Sequence, residues 1–132
     1  MRERTAAQRL GDSAEALVAE RLRAAGWTIV ARNLRLGRHE IDLVALDPGP
    51  PAELVAVEVR WRGRRDFGLP EETVGYLKRR SLRRALLSLR DRLPELAPGR
   101  THLPLRLDLV AVEPGSAGAP PIVRHHRAVE LG

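Results

Sequence analysis

Apolar residues recur at spacings of three and four near the start of the chain. Leu10, Ala14, Leu17, Val18, Leu22 and Ala25 make one face of an amphipathic helix. The pattern predicts a helix from Thr5 to Ala25, closed by Gly26 as a left-handed cap. Three runs rich in Val, Ile and Leu follow: Trp27 to Asn33, Glu40 to Asp47 and Glu53 to Trp61. Each is bounded by a Gly, Pro or charged break and reads as a strand. The break PGPPA between the second and third is short enough for a hairpin, which makes those strands antiparallel neighbours. From Pro70 the helical period returns, with Val74, Leu77, Leu82, Ala85, Leu86, Leu89 and Leu93 in one stripe. Pro70 and Glu71 suit its start, and Pro94 with the Pro98-Gly99 pair ends it. A fourth strand runs from Leu103 to Glu113, and IVRHHRAVEL, after the loop PGSAGAPP, supplies a fifth.

The order is therefore α-β-β-β-α-β-β. A helix between strands three and four implies a right-handed βαβ crossover and a mixed α/β sheet of four to five strands flanked by helices. There is no internal repeat, and the Pro/Gly-rich loops are short connectors. A length of 132 residues with 43% apolar content fits one domain over residues 1–132.

Charge and composition narrow the chemistry. A net charge of +6 favours phosphates or anionic surfaces. Only Lys78 among 23 basic residues is a lysine, and arginine, alanine, leucine and proline enrichment is also what a GC-rich genome writes. At 3% aromatic content, base-stacking platforms are not expected. The absence of cysteine excludes disulfides, thiolate metal sites and a cysteine nucleophile. With no apolar signal-like start and no apolar run near the roughly 20 residues of a membrane span, a soluble cytoplasmic protein without membrane contact is expected.

Strand alternation puts Asp42 on a face with Val44 and Leu46, and Glu58 on a face with Leu54, Ala56 and Arg60. A carboxylate that continues an apolar face is costly unless paired, hydrogen-bonded or holding a cation. With Glu40 at the strand start and Glu15 on the first helix, these are hard oxygen ligands of the kind Mg²⁺ prefers, and phosphodiester hydrolysis is their natural use. The same spacing also suits ion pairs. Glu58 and Arg60 are roughly 7 Å apart along a strand, and Asp42 has many arginines to choose from.

Over nearly the whole chain, the strings GDSAEALVAERLRAAGWTIVARN, HEIDLVAL, VAVEVRWRGRRDFGLPEETVGYLKRRSLRRA and LRLDLVAVE, in that order, resemble the YraN family of bacterial proteins. That family is similar to archaeal Holliday-junction resolvases of the restriction-endonuclease-like superfamily. The resemblance implies a restriction-endonuclease-like fold and a Mg²⁺ or Mn²⁺ site. Glu15 matches the acidic residue of the first helix, Glu40 and Asp42 the acidic pair opening strand two, and Glu58 the glutamate of the superfamily's Glu-x-Lys. Lys78 matches a family lysine at the start of the second helix. The signature lysine falls at Arg60, which keeps its proton at any relevant pH and cannot act as a base, although it can orient water or stabilise a phosphate. The usual glycine before the acidic pair is His39, which crowds or supplements the site.

Lys78, Arg79, Arg80, Arg83 and Arg84 form a basic stripe, either a solvated face or a contact for DNA phosphates. His125 and His126 point to opposite faces of a strand and cannot chelate one ion together. Asp108 is either a supporting partner of the site or a satisfied buried carboxylate, and Trp27 and Trp61 are core or rim residues. The leading expectation is a metal-dependent nuclease acting on DNA, branched or structured DNA included, with Asp42, Glu58 and Arg60 in the catalytic roles. The alternatives are a DNA-binding module that keeps the fold without turnover, and a protein-interaction scaffold. Resolvase-like action needs two active sites and hence a homodimer.

Overall fold

The computed structural model describes residues 3–61, 76–100 and 102–129. Helix α1 (Ala6–Ala24) opens on a capping box, in which Thr5 Oγ1 accepts from the Gln8 amide at 3.1 Å and the Gln8 side chain accepts from the Thr5 amide at 2.8 Å. Gly26 follows the helix at φ +93°, the left-handed position that glycine takes without strain. Strand β1 (Thr28–Leu36) runs three residues past the expected end at Asn33. Asn33 adopts φ +50°, which asparagine tolerates better than most residues, so the chain bends there and stays in the sheet. Gly37 and Arg38 then make a two-residue turn with Gly37 at φ +62°, the type II′ pattern, into β2 (His39–Asp47).

Strand β3 (Glu53–Trp61) pairs antiparallel with β2, as the short PGPPA loop requires. Helix α2 is described over Tyr76–Asp91, and its expected start at Pro70 and the stripe residue Val74 lie outside the described residues. Leu93 does not extend α2. It opens the short helix α3 (Leu93–Leu96), where Pro94 sits in the first turn and loses no hydrogen bond. Strand β4 (Leu105–Glu113) begins two residues later than expected, and β5 covers Ile122–His126 only.

The sheet has the order β1-β2-β3-β4-β5. All neighbours are antiparallel except β3 and β4, which are parallel, so the sheet is mixed as the crossover helix demands. Its two faces carry two cores. Leu43, Ala45, Val55, Val57, Val110 and Val112 pack under α1 against Ala14, Val18 and Leu22. Val44, Leu54, Ala56 and Leu107 pack under α2 and α3 against Leu82, Ala85, Leu89 and Leu93. The expected stripe of α1 holds except at its ends: Leu10 is 44% exposed, and Ala25 is exposed as the C-cap beyond the last helical residue.

Candidate functional site

Alternation in β2 breaks at Asp42. Ile41 packs in the α2-side core and Leu43 in the α1-side core, although in a regular strand residues two apart share a face. The irregularity lies opposite Asn33, which with Asp42 is missing from the β1–β2 register; a separate register shift falls between Ile29 and Ala31. Asp42 is thereby parted from Val44 and Leu46, with which alternation had grouped it. On the other side of β2, the ladder to β3 stops at Leu43 and Val57. Just beyond that point Asp42 Oδ2 accepts from the Val59 amide at 2.8 Å, so a side chain takes over a backbone donor that the ladder leaves.

Asp42 also neighbours Glu15 of α1, carboxyl beside carboxyl. Burial first, and then the charge and hydrogen bond of Asp42, push the Glu15 carboxyl up to about 7. With its amide nitrogen turned toward the carboxylates, Asn33 donates to Glu15 Oε2 and Glu40 Oε1, both at 3.2 Å. Arg35 lies 3.7 Å from the other oxygen of Glu40. Three of the acidic residues named from sequence, Glu15, Glu40 and Asp42, are thus joined, two directly and one through Asn33.

Glu58 continues the α2 face of β3 after Leu54 and Ala56 and is only 4% exposed. Its Oε1 stands 3.1 Å from His39 Nε2, and His39 Nδ1 stands 3.2 Å from Ser81 Oγ of α2. The histidine in place of glycine therefore supplies Glu58 with a hydrogen-bond partner. Arg60 comes next on the same strand, and its Nε and Nη2 are buried without a hydrogen-bond partner among the described residues. The ion pair between Glu58 and Arg60 that their spacing allowed is not among the ion pairs of the described residues, whereas His39 Nε2 stands within 3.1 Å of Glu58 Oε1.

Among the described residues, no group of three or more His, Asp or Glu side chains is arranged to hold a metal ion. The donor chemistry at Glu15 and Asp42 nonetheless suits a hard cation. Mg²⁺ is commonly held by one or two carboxylates plus waters and substrate phosphates rather than by a full protein cage. Burial and the neighbouring charge of Asp42 raise the proton affinity of Glu15, and a bound cation would relieve that repulsion.

Of the basic stripe, Arg80, Arg83 and Arg84 are exposed on α2, while the side chains of Lys78 and Arg79 lie outside the described residues. Asp108 is fully buried and fully satisfied. It accepts two hydrogen bonds from Arg106, at 2.9 and 3.0 Å, one from the Ala128 amide at 2.9 Å, and stands 2.7 Å from His125 Nε2. Arg106 also reaches Asp47 and Glu53, each at 3.0 Å, and lies over the Trp27 ring at 5.3 Å. This network belongs to the β4–β5 half of the α1 face. Trp27 is in the core beneath it, and Trp61 packs partly buried against the same core.

These elements define a mixed α/β protein with a five-stranded sheet between helices and an acidic cluster where β2 and β3 part. The chain belongs to the Uncharacterised protein family UPF0102, whose model matches residues 14–112. A UPF0102 protein of Symbiobacterium thermophilum is 42% identical over 111 residues, covering 84% of this chain and 87% of the relative. One from Nocardia farcinica is 40% identical over 123 residues, covering 92% and 89%. One from Roseiflexus castenholzii is 36% identical over 107 residues, covering 81% of each. The matched span contains Glu15, Glu40, Asp42, Glu58 and α2.

Proposed function

We propose that this chain is a restriction-endonuclease-like protein that acts on DNA, branched or structured DNA included, through a divalent-cation site at Glu15 and Asp42. The carrying observation is the neighbouring Glu15–Asp42 carboxyl pair where β2 and β3 separate, with Asp42 fixed there by the Val59 amide. Glu40 supports the pair through Asn33, and Glu58 flanks it on β3, next to the residue whose amide Asp42 accepts. A bound Mg²⁺ or Mn²⁺ would supply Lewis-acid polarisation of a phosphodiester and a more acidic water.

The chain's own residues divide the remaining work. Arg60 offers two desolvated N–H groups with no hydrogen-bond partner among the described residues, and a phosphate oxygen would satisfy them. Arg60 cannot take a proton, so its role is to hold and orient. The α2 arginines attract the DNA backbone.

A second reading, a DNA-binding module with little or no turnover, is favoured by the same Arg60 and by the engagement of Glu58 with His39. Incubation with linear, nicked and four-way-junction DNA, with Mg²⁺ or Mn²⁺, separates the two. Metal-dependent cleavage that is lost in Asp42→Asn supports the nuclease. Binding of DNA without cleavage in any metal supports the module. Cutting both strands at a branch point would need a homodimer, which sedimentation on the DNA complex would register.

A further inference from the structure

A cavity of about 590 Å³ lies between the β1–β2 turn and α2, and its wall includes Arg38, His39, Arg80, Ser81, Arg84 and Ser88. Arg80, Arg84 and Ser88 follow one another at intervals of four on α2, so they stack along one side of the helix. The turn between Leu36 and His39 brings Arg38 to the opposite wall.

Three features point to an anion. No carboxylate stands among the described lining residues, so the guanidinium charges are not neutralised within the cavity. Arg4, Arg23, Arg35, Arg92, Arg106, Arg124 and Arg127 all form ion pairs, whereas Arg38, Arg80 and Arg84 form none among the described residues. Like charges at intervals of four on a helix repel, a standing cost that a bound anion removes. Ser81 and Ser88 add hydroxyls to a wall completed by Leu36, Gly37 and His39, and guanidinium groups with hydroxyls are the usual donors to phosphate oxygens.

We propose that this cavity is a phosphate-binding site, in which Arg38, Arg80 and Arg84 clamp one phosphate group with Ser88 as an additional donor. His39 joins the cavity to Glu58, since it lines the wall and bonds to both Ser81 and Glu58. The inference rests on the proposed function only in taking a nucleic-acid backbone as the source of the phosphate.

Binding of a fluorescein-labelled duplex to the full chain in EDTA, by anisotropy at several salt concentrations, tests it apart from any cleavage. Arg38→Ala, Arg80→Ala and Arg84→Ala are each expected to weaken binding about tenfold and lower the salt slope by about one. Arg90→Ala, the same charge change on the same helix but outside the cavity, is expected to cost less than about twofold. Ser88→Glu places a carboxylate against Arg84 and is expected to weaken binding at least as much as loss of one cavity arginine, while Ser88→Ala has a small effect. Competition by millimolar inorganic phosphate would mean that a lone phosphate fills the site. The same arginine dependence without competition assigns the site to the DNA backbone. If Arg80→Ala and Arg84→Ala do no more than Arg90→Ala, the proposal is overturned. Absence of cleavage in metal, with the arginine dependence intact, would instead count against the nuclease reading alone.

Discussion

At the scale of single residues, two carboxyls on the α1 face titrate in opposite directions. Asp108 is pushed up by burial, but the hydrogen bonds from His125, Arg106 and the Ala128 amide outweigh this and hold it down at about 2. Its stabilisation is complete above the ordinary value of 3.8 and is lost as pH falls through 2. Asp108→Ala leaves Arg106 buried beside fewer partners, and urea denaturation is expected to show a loss of about 3–5 kcal/mol. Glu15 is the reverse case. Its folded value of about 7 lies above the ordinary 4.5, so it favours folding below pH 4.5, and that contribution is lost as pH rises through 7. Glu15→Gln should therefore be more stable than wild type at pH 8, by about 1–2 kcal/mol since solvent screens the partly exposed group, and should differ little near pH 4. Equal stability at pH 8 would contradict the burial of Glu15 beside Asp42. The acidic residues themselves were legible because carboxylates on apolar strands stand out. Their neighbours were not: Asn33, His39 and Ser81 come from other elements, and Asp42 turns to Glu15 only because alternation fails opposite Asn33, which a period-two reading cannot foresee.

At the scale of elements, hydrophobic period and punctuation were sufficient for the identity of every strand and of the two long helices. Boundaries moved where a local geometry overrode a composition cue. Asn33 looked like a strand end and is a bend within β1, and Pro94 looked like a stop and opens α3. Leu89 anchors α2 against the sheet with no exposed surface, so Leu89→Ala is expected to cost about 2–5 kcal/mol, measurable by thermal or urea unfolding. The outer side of α2 is different in kind. Neutralising Arg79, Arg80, Arg83 and Arg84 together should leave stability within about 0.5 kcal/mol for each exposed change and sharply reduce DNA affinity and its salt slope. Unchanged affinity would mean that the stripe is a solvated face only. The cavity at its edge was not legible, because Arg38 is separated from α2 by two strands in sequence and meets it only across the sheet.

At the scale of the whole molecule, the sheet order follows from the crossover helix between β3 and β4, and it places α1 and α2 on opposite faces of one sheet. The acidic cluster and the basic cavity lie on either side of β2, with Glu58 and His39 between them. On the proposed reading, the cavity would grip a phosphate backbone and the carboxyl pair would hold a cation beside it. No helix among the described residues is long and apolar enough to cross a membrane. Arg60 stands where the resemblance expects a lysine and cannot accept a proton, so on the proposed reading the site would bind without efficient turnover. The most direct measurement is the single-turnover rate of Mg²⁺- or Mn²⁺-dependent cleavage of four-way-junction DNA by wild type, Arg60→Lys and Asp42→Asn. Wild type is expected to cleave slowly or not at all, Arg60→Lys faster, and Asp42→Asn not at all. Equal rates for wild type and Arg60→Lys, or full activity in Asp42→Asn, would contradict that reading.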